Sequence, residues 1–249
     1  MKLGSLFDGS GGFCLAGAFN GIEPVWSSEI EPFCLRVEAQ RFPNCKQLGS
    51  VTDINGAEIE PVDIITFGSP CQDLSVAGKQ AGIHDGERSN LFFEAIRIIK
   101  EMRHATANKF PRFAVWENVP GARNSQKGED FRAVLNAFCS VCDDTVNVPR
   151  PADGIWQPVG CVLGNNFSIA WRTYDAQYWG VPQRRKRIYL IADFATTCAG
   201  EILLESESMC WDRQTGAEAW ERASKYVDGS TDGSYKPCWW VGNDSGRSG

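Results

Sequence analysis

A glycine-rich segment near the N-terminus is the first place where residue types and spacing could do chemistry. Phe7-Asp8-Gly9-Ser10-Gly11-Gly12 lies between an apolar run and a helical stretch. Glycines there let the backbone turn sharply, and the N–H groups at a helix start can bind a ligand. Glu29 lies 20 positions after Gly9, where nucleotide-binding folds place the acidic residue that meets a ribose hydroxyl. The combination predicts an adenosine-containing cofactor, whereas the glycines alone could form a plain strand–helix turn.

A cysteine and a glutamate follow two later apolar runs. Cys71 comes after Gly68-Ser69-Pro70, at the position where open α/β sheets bind ligands beyond their strand ends. Helix dipoles or cations at such an edge favour the nucleophilic thiolate, although most single cysteines are inert packing residues. Glu117 follows Trp116, and a carboxyl group beside that apolar ring could act as a general acid. A helix cap or a surface loop is the alternative for Glu117.

A basic segment precedes the last apolar run. In a strand, Gln183, Arg185 and Arg187 would face one side, and Arg184 and Lys186 would face the other. Three polar groups on one face suit a partly buried anion or carbonyl group. An edge strand kept in solution by its charge is the alternative.

Strands and helices alternate through the part of the chain that must position these segments. Apolar strands are predicted at 2–7, 24–29, 62–67, 113–116, 167–174 and 188–193. Helices are predicted at 13–19, 31–42, 90–102 and 131–141. Strands separated by helices of this length pair in parallel through right-handed crossovers. The sequence therefore predicts an α/β fold with a doubly wound, Rossmann-like, mostly parallel sheet.

The alternation fails after about residue 196. Residues 1–196 are predicted to form a cofactor-binding catalytic domain. Residues 197–249 are predicted to be an incomplete C-terminal lobe or a tail, since they hold a loop rich in Gly, Ser and Asp and end shortly after Trp239-Trp240.

Composition excludes several classes of protein. Hydrophobic residues make up 43% of the chain and charged residues 22%, which is ordinary for a globular protein and unlike a disordered or fibrous one. A net charge of −6 argues against wrapping nucleic acid by bulk attraction, although basic clusters near residues 97–112 and 184–187 leave room for a local basic surface. No apolar run approaches the roughly 20 residues of a membrane helix. With no signal-peptide core, we expect a cytoplasmic protein whose ten cysteines are reduced.

The segments, taken in this order, resemble the motifs of the DNA cytosine-5 methyltransferase family. The resemblance covers about residues 2–194, and jointly its motifs are very specific. The matching residues are Phe7, Gly9, Gly11 and Gly12 in the glycine loop, Glu29-Ile30, Asp53-Ile54, Pro70-Cys71-Gln72, Arg88-Ser89-Asn90-Leu91-Phe92, Glu117-Asn118-Val119, and Gln183, Arg185 and Arg187.

This resemblance implies the S-adenosylmethionine-dependent methyltransferase fold and S-adenosyl-L-methionine as the cofactor. The loop Phe7–Gly12 would hold its methionine end, Glu29 with Ile30 its ribose, and Asp53 with Ile54 its adenine. Pro70 and Leu91 complete the implied cofactor-binding set. No metal is expected, because Cys139-x-x-Cys142 has no second cysteine pair and the chain has only two histidines.

The resemblance also implies the reaction and the partner. Cys71 would attack carbon 6 of a cytosine, Glu117 would neutralise the charge that develops on the ring, and Arg185 and Arg187 would hold the ring carbonyl and the adjacent phosphate. The partner is double-stranded DNA, with the target base flipped out of the stack. We expect a monomer.

Some features depart from the family pattern. Ser69 replaces the aromatic residue common before Pro-Cys, and the late Arg-Leu-Gln-Gly-Phe-Pro and Gly-Asn-Ser-Val motifs and the target-recognition region are missing. The chain therefore looks C-terminally truncated. Two alternatives follow, an inactive cofactor-binding remnant and the same chemistry on transfer RNA. A nicotinamide oxidoreductase is disfavoured by Cys14 in the glycine loop and by the nucleophile motif.

Overall fold

One mixed sheet organises the part of the chain that the computed structural model describes, residues 1–70, 91–179 and 182–204. Its strand order is β3-β2-β1-β4-β5-β8-β7-β6. The strands are β1 (Lys2–Leu6), β2 (Glu23–Ser28), β3 (Lys46–Gln47), β4 (Ile64–Phe67), β5 (Phe113–Asn118), β6 (Val159–Leu163), β7 (Ser168–Asp175) and β8 (Lys186–Asp193). Cys71, Arg88-Ser89-Asn90 and the predicted C-terminal lobe beyond residue 204 lie outside the described residues.

The sheet has a parallel half and an antiparallel half. Strands β3, β2, β1, β4 and β5 all pair in parallel, as the alternating sequence pattern predicts. Strands β5, β8, β7 and β6 pair antiparallel. The doubly wound, Rossmann-like class is confirmed, but parallel pairing does not extend through the last strands. No α-helix of the described residues separates β6, β7 and β8, so they return as hairpins instead of crossovers.

Five α-helices surround the described sheet. They are α1 (Gly12–Phe19), α2 (Pro32–Arg41), α3 (Leu91–Ala105), α4 (Glu129–Cys139) and α5 (Ala199–Leu203). Helix α2 shows why a helix begins where it does: Pro32 fixes the backbone of the first turn, and the Glu31 side chain accepts a hydrogen bond from the N–H of Phe33. The longest described helix has 15 residues, and none of those described combines the length and apolarity needed to cross a membrane.

An aromatic cluster forms the core between the sheet and the helices α3 and α4. Phe67 and Trp116 from the sheet meet Phe92, Phe131 and Phe138 from the helices, with neighbouring ring centroids 5.9 to 6.3 Å apart. All five side chains are fully buried. Large apolar rings of this kind dominate the stability of a core. This cluster includes residues at or near the ends of β4 and β5.

All strands and helices predicted before residue 196 occur, with ends within three residues of the observed ones. Two described strands were not predicted: the two-residue strand β3 and the edge strand β6. Strand β3 is too short to leave a periodic signal. Strand β6 contains Gly160, which has no side chain to mark the alternation.

Cysteine chemistry differs from the expectation at one position. Cys161 is disulfide-bonded, whereas the other cysteines of the described residues, Cys14, Cys34, Cys45, Cys139, Cys142 and Cys198, are free thiols. Burial raises the pKa of Cys139 to about 12, so this thiol stays protonated at neutral pH. The expectation that every thiol is reduced is therefore wrong at Cys161.

Candidate active site

The glycine turn between β1 and α1 borders open space. Phe7, Gly9 and Gly11 have left-handed backbone conformations, with φ of 55°, 59° and 88°. Glycine adopts such angles without strain, whereas Phe7 is held there by its surroundings, as happens at functional sites. A Cβ added to Gly9 or Gly12 would meet no atom within 4 Å. The turn therefore leaves room for a ligand directly against its backbone, and the side chain of Ser10 is exposed beside it.

Asp8 braces the turn from the inside. Its Oδ1 accepts hydrogen bonds from Ser5 Oγ at 2.7 Å and from the N–H of Phe13 at 3.2 Å, and the side chain is buried. The second bond caps the first turn of α1, where a carboxylate also interacts favourably with the helix dipole. The side chain of Asp8 therefore holds the backbone of the predicted cofactor loop in place.

Glu29 ties the glycine turn to the end of β2. Its Oε2 accepts from the N–H of Gly9 at 2.9 Å, and its Oε1 accepts from the N–H groups of Ile30 and Glu31 at 2.7 and 3.0 Å. The side chain of Ile30 is 71% exposed next to this carboxylate. A polar anchor beside an exposed apolar surface is the combination that a ribose with its attached base requires.

The other predicted adenine contacts lie in and after the 3₁₀ turn Val51–Asp53. Ser28 Oγ donates to the carbonyl of Gly49 at 2.6 Å, which holds the start of this turn at the end of β2. Asp53 is exposed there. Ile54 is buried in the main core, and its carbonyl accepts from Arg97 Nη1 at 2.9 Å. Asp53 is thus accessible to a ligand, whereas the side chain of Ile54 serves packing.

The chain leaves β4 towards Cys71 along a path fixed by β5. Trp116 Nε1 donates to Ser69 Oγ at 3.2 Å, and Asn118 Nδ2 donates to the carbonyl of Ser69 at 3.2 Å. A Cβ added to Gly68 would lie 3.3 Å from Glu117 Oε2. The small Ser69, which departs from the family pattern, therefore has a specific role as a buried acceptor. Pro70 follows it and is exposed.

Glu117 and Arg187 meet across the boundary between the two halves of the sheet. Arg187 Nε lies 2.9 Å from Glu117 Oε1, with the side chains 22% and 23% exposed. Because β8 runs antiparallel to β5, its first residues lie beside the last residues of β5. Two residues that are far apart in sequence and were predicted from separate motifs thus form one partly exposed ion pair. The pair lies beside Gly68, which follows the end of β4 and precedes Cys71 in the chain.

Gln183 and Arg185 precede strand β8, as the basic segment was predicted to precede the last strand. Strand β8 begins at Lys186, so the alternation that a strand would impose on residues 183–187 applies only from Lys186 onwards. The backbone N–H of Arg185 instead donates to Asp175 Oδ1 at 3.1 Å, and its side chain is exposed. Gln183 is exposed as well.

An aromatic cleft of about 460 Å³ adjoins this ion pair, and its aromatic lining was not predicted from the sequence motifs. Both Arg185 and Arg187 line it, together with Val115, Tyr174, Ala176, Trp179, Tyr189, Ile191 and Leu203. Burial, then the nearby Glu117 carboxylate, raises the pKa of Tyr189, so its hydroxyl stays protonated at neutral pH. The alternation of β8 was the available signal, because it places Tyr189 on the same face as Arg187.

A larger cleft of about 730 Å³ lies between α4 and residues 140–147. It is lined by none of the residues predicted for the site. The smaller of these two clefts contains two of the predicted site residues, Arg185 and Arg187, and the larger contains none.

The N-terminal part of the chain matches a known family. Residues 1–142, more than half of the chain, match the family model for C-5 cytosine-specific DNA methylases. The chain belongs to this family. Its members use S-adenosylmethionine, and the open space against Gly9 and Gly12, the Glu29 carboxylate and the exposed Asp53 fit this cofactor.

Relatives of this methylase are similar over only part of their own length. A DNA N-6-adenine-methyltransferase of Escherichia phage P1 is 33% identical over 215 residues, which cover 76% of this chain and 28% of that protein. The type II methyltransferase M.HhaI of Haemophilus parahaemolyticus is 31% identical over 191 residues, covering 77% of this chain and 48% of that protein. The chain spans about half, or less, of the length of these relatives.

A solved structure supports the fold of this methylase. The S. pombe Dnmt2 methyltransferase superposes with a TM-score of 0.56 at 17% identity, covering 86% of this chain and 58% of that one. At this level of identity the likeness concerns the fold alone.

Proposed function

We propose that this chain transfers a methyl group from S-adenosylmethionine to carbon 5 of cytosine in double-stranded DNA. The proposal rests above all on the family match together with the Glu117–Arg187 pair, held beside the strand end that leads to Cys71. The N6 amine of adenine is itself nucleophilic and needs no covalent activation, whereas carbon 5 of cytosine does. A cysteine in the Pro-Cys-Gln motif therefore favours cytosine.

Cys71 would activate the ring by covalent attack. Its thiolate forms a bond from sulfur to carbon 6, and the electron pair of the ring double bond makes carbon 5 nucleophilic. The bound cofactor supplies the electrophilic methyl group. Loss of the carbon 5 proton to a base, with expulsion of the Cys71 thiolate, then restores the ring, so that the sulfur returns unchanged.

Glu117 and the arginines would handle the charge on the ring. A proton shared between Glu117 and ring nitrogen 3 neutralises the negative charge that thiolate addition creates, and general acid help of this kind is worth about 10²–10⁴ in rate. Arg187 orients the Glu117 carboxylate through its 2.9 Å ion pair. Arg185 and Arg187 together would hold the ring carbonyl and the adjacent phosphate of a base flipped into the site.

The glycine turn would hold the cofactor. The backbone of Phe7, Gly9 and Gly11 lies against its methionine end, and Glu29, already fixed by three backbone N–H groups, faces its ribose. Ile30 and Asp53 would contact the base, and Pro70 and Leu91 would complete the cofactor-binding set. We assign residues 1–196 to the catalytic domain and residues 197–249 to a recognition region or a tail.

A trapping experiment tests the proposal. Duplex DNA containing 5-fluorocytosine, incubated with the chain and the cofactor, should give a covalent protein–DNA complex visible on a denaturing gel. Fluorine takes the place of the carbon 5 proton and cannot be removed by a base, so the sulfur is not released and the complex persists. Cys71→Ser should abolish it, and Cys142→Ser, at an exposed cysteine, should leave it unchanged. An undiminished complex in Cys71→Ser, or methyl groups found on adenine, would overturn the assignment.

Two further measurements separate the alternatives. A silent calorimetric titration with S-adenosylmethionine would favour the inactive remnant. Transfer of tritiated methyl groups to transfer RNA in preference to duplex DNA would favour the RNA substrate. We further propose that the chain acts in the cytoplasm as a monomer and without a catalytic metal, and light scattering tests the monomer directly.

A further inference from the structure

Two thiols and a carboxylate from three separate segments meet in the interior behind the glycine turn. Cys14 comes from α1, Glu38 from α2, and Cys45 from the connection between α2 and β3. One ligand atom from each lies within 4.8 Å of the other two. The exposed fractions of these residues are 0%, 1% and 8%. The cluster shares no residue with the Glu117–Arg187 site.

A second carboxylate, that of Asp8, borders this cluster, and one oxygen of each of the two carboxylates has no hydrogen-bond partner among the described residues. Asp8 interacts with both the Cys14 thiol and the Glu38 carboxyl. Within the described residues, Asp8 Oδ2, Glu38 Oε1 and Ser27 Oγ are buried without a hydrogen-bond partner. Unpaired buried carboxylate oxygens are costly, because burial removes the water that would solvate them.

Among the described residues, the strongest influences on Glu38 are its burial and the side chains of Asp8, Ser27 and Gln47, none of which is positively charged. Pairing of the two cysteines with each other would not give the carboxylate oxygens a partner either. A disulfide between Cys14 and Cys45 would occupy both sulfurs and still leave Asp8 Oδ2 and Glu38 Oε1 unpaired.

We propose that Cys14, Glu38 and Cys45 bind a zinc ion, with Asp8 as the fourth ligand or as the neighbour that orients them. Thiolates are the soft ligands that favour Zn²⁺, and carboxylate oxygens complete tetrahedral zinc sites. Each cysteine loses its proton to solvent when the metal binds, and no electrons are transferred. Two thiolates and two carboxylates give the same ligand charge as a four-cysteine zinc site, which proteins bury routinely.

Such an ion would fasten the cofactor side of the molecule. It would link α1, α2 and the approach to β3 to Asp8, whose other oxygen already holds the start of α1 through the N–H of Phe13. A ligand that binds only the folded state stabilises that state. The expectation of no metal came from the isolated Cys139-x-x-Cys142 pair, and this site revises it, because its ligands lie on elements that only the fold brings together.

Metal analysis of the purified chain tests the site. After expression with added zinc and dialysis against a weak chelator, mass spectrometry should find one zinc ion per chain. Cys45→Ser and Cys14→Ser should lose it, and Asp8→Asn should bind it about 10–100-fold more weakly. Cys34→Ser should retain it, since Cys34 is also on α2 but lies outside the cluster.

Cobalt substitution keeps the test independent of how well the variants fold. Added Co²⁺ should give a thiolate-to-cobalt charge-transfer band in the wild-type chain, and added zinc should remove it. Wild-type protein without stoichiometric zinc and without this band overturns the proposal. So do equal zinc contents in the wild type and Cys45→Ser, or a Cys14–Cys45 disulfide in the metal-free wild-type chain.

Discussion

An arginine–carboxylate pair stands at each end of the boundary between β5 and β8, and the two pairs are built differently. At the site end, Glu117 meets Arg187 and both side chains remain partly exposed. At the opposite end, Arg112 meets Asp193, whose carboxylate is fully buried. The same pair of chemical groups therefore occurs once with access for a ligand and once without it.

The two carboxylates also differ in how many hydrogen bonds they accept. Asp193 accepts from the N–H groups of Ala195 and Thr196, from Thr196 Oγ1 and from Arg112. Among the described residues, Glu117 is paired with Arg187 and its Oε2 faces Gly68. A carboxylate with all its acceptor positions filled can only stabilise the fold, whereas one with acceptor capacity left can bind a substrate.

The largest effect should come from removing the acid at the site end. Glu117→Gln keeps the shape of the side chain but cannot share a proton with the ring, so we expect methyl transfer to duplex DNA to fall by about 10²–10⁴. Initial rates with tritiated cofactor measure this. Glu129→Gln is the matched control, since Glu129 also pairs with arginines but lies on α4. Equal rates for Glu117→Gln and Glu129→Gln would remove Glu117 from the reaction.

The opposite end should respond in stability instead. Asp193→Asn leaves donors at Ala195, Thr196 and Arg112 with a weaker, neutral acceptor, and we expect the free energy of unfolding at pH 7 to fall by about 2–3 kcal/mol. Urea unfolding measures this. A loss as small as that of Asp143→Asn, at a partly exposed aspartate that also accepts from a threonine, would contradict the structural role of Asp193.

The same variant should change the pH dependence of stability. Burial opposes ionisation of Asp193, but hydrogen bonds from Thr196, Arg112 and Ala195 outweigh it and lower its pKa. A lowered pKa in the folded state gives stability that is present above the pKa of the unfolded chain and is lost as pH falls through the folded pKa. The difference in free energy of unfolding between the wild type and Asp193→Asn should therefore be largest above about pH 4 and should decrease in stronger acid. A gap that widens on acidification would have the wrong sign.

A smaller effect should distinguish the two halves of the sheet by packing. In each half a tryptophan ring covers a glycine on the neighbouring strand: Trp26 covers Gly4, and Trp171 covers Gly160. A Cβ added to Gly4 would lie 2.1 Å from the nearest ring carbon, and one added to Gly160 would lie 2.2 Å from it, so both would clash. Gly4→Ala, on an inner strand, should cost about 2–3 kcal/mol, and Gly160→Ala, on the edge strand β6, about 1–2 kcal/mol.

Gly121→Ala is the control for this pair, since no atom lies within 4 Å of its added Cβ. Thermal unfolding of the three variants gives the order. A larger loss for Gly160→Ala than for Gly4→Ala would show that the edge strand is the more rigid of the two.

The sequence by itself determined the alternation of strands and helices, the glycine turn with Glu29, and the family. These features depend on local periodicity, turn residues and short spacings, which a linear chain displays directly. The motifs also contained both members of the site pair, Glu117 and Arg187.

Only the tertiary structure decided which of those residues meet. The reversal of β8 brings Arg187 to Glu117, the register of β4 and β5 gives Ser69 its donors from Trp116 and Asn118, and helix packing gathers Cys14, Glu38 and Cys45. Each of these contacts joins segments whose separation along the chain carries no periodic signal. Strand direction and helix packing are settled by burial of the whole core, and for that reason they could not be predicted from any one segment.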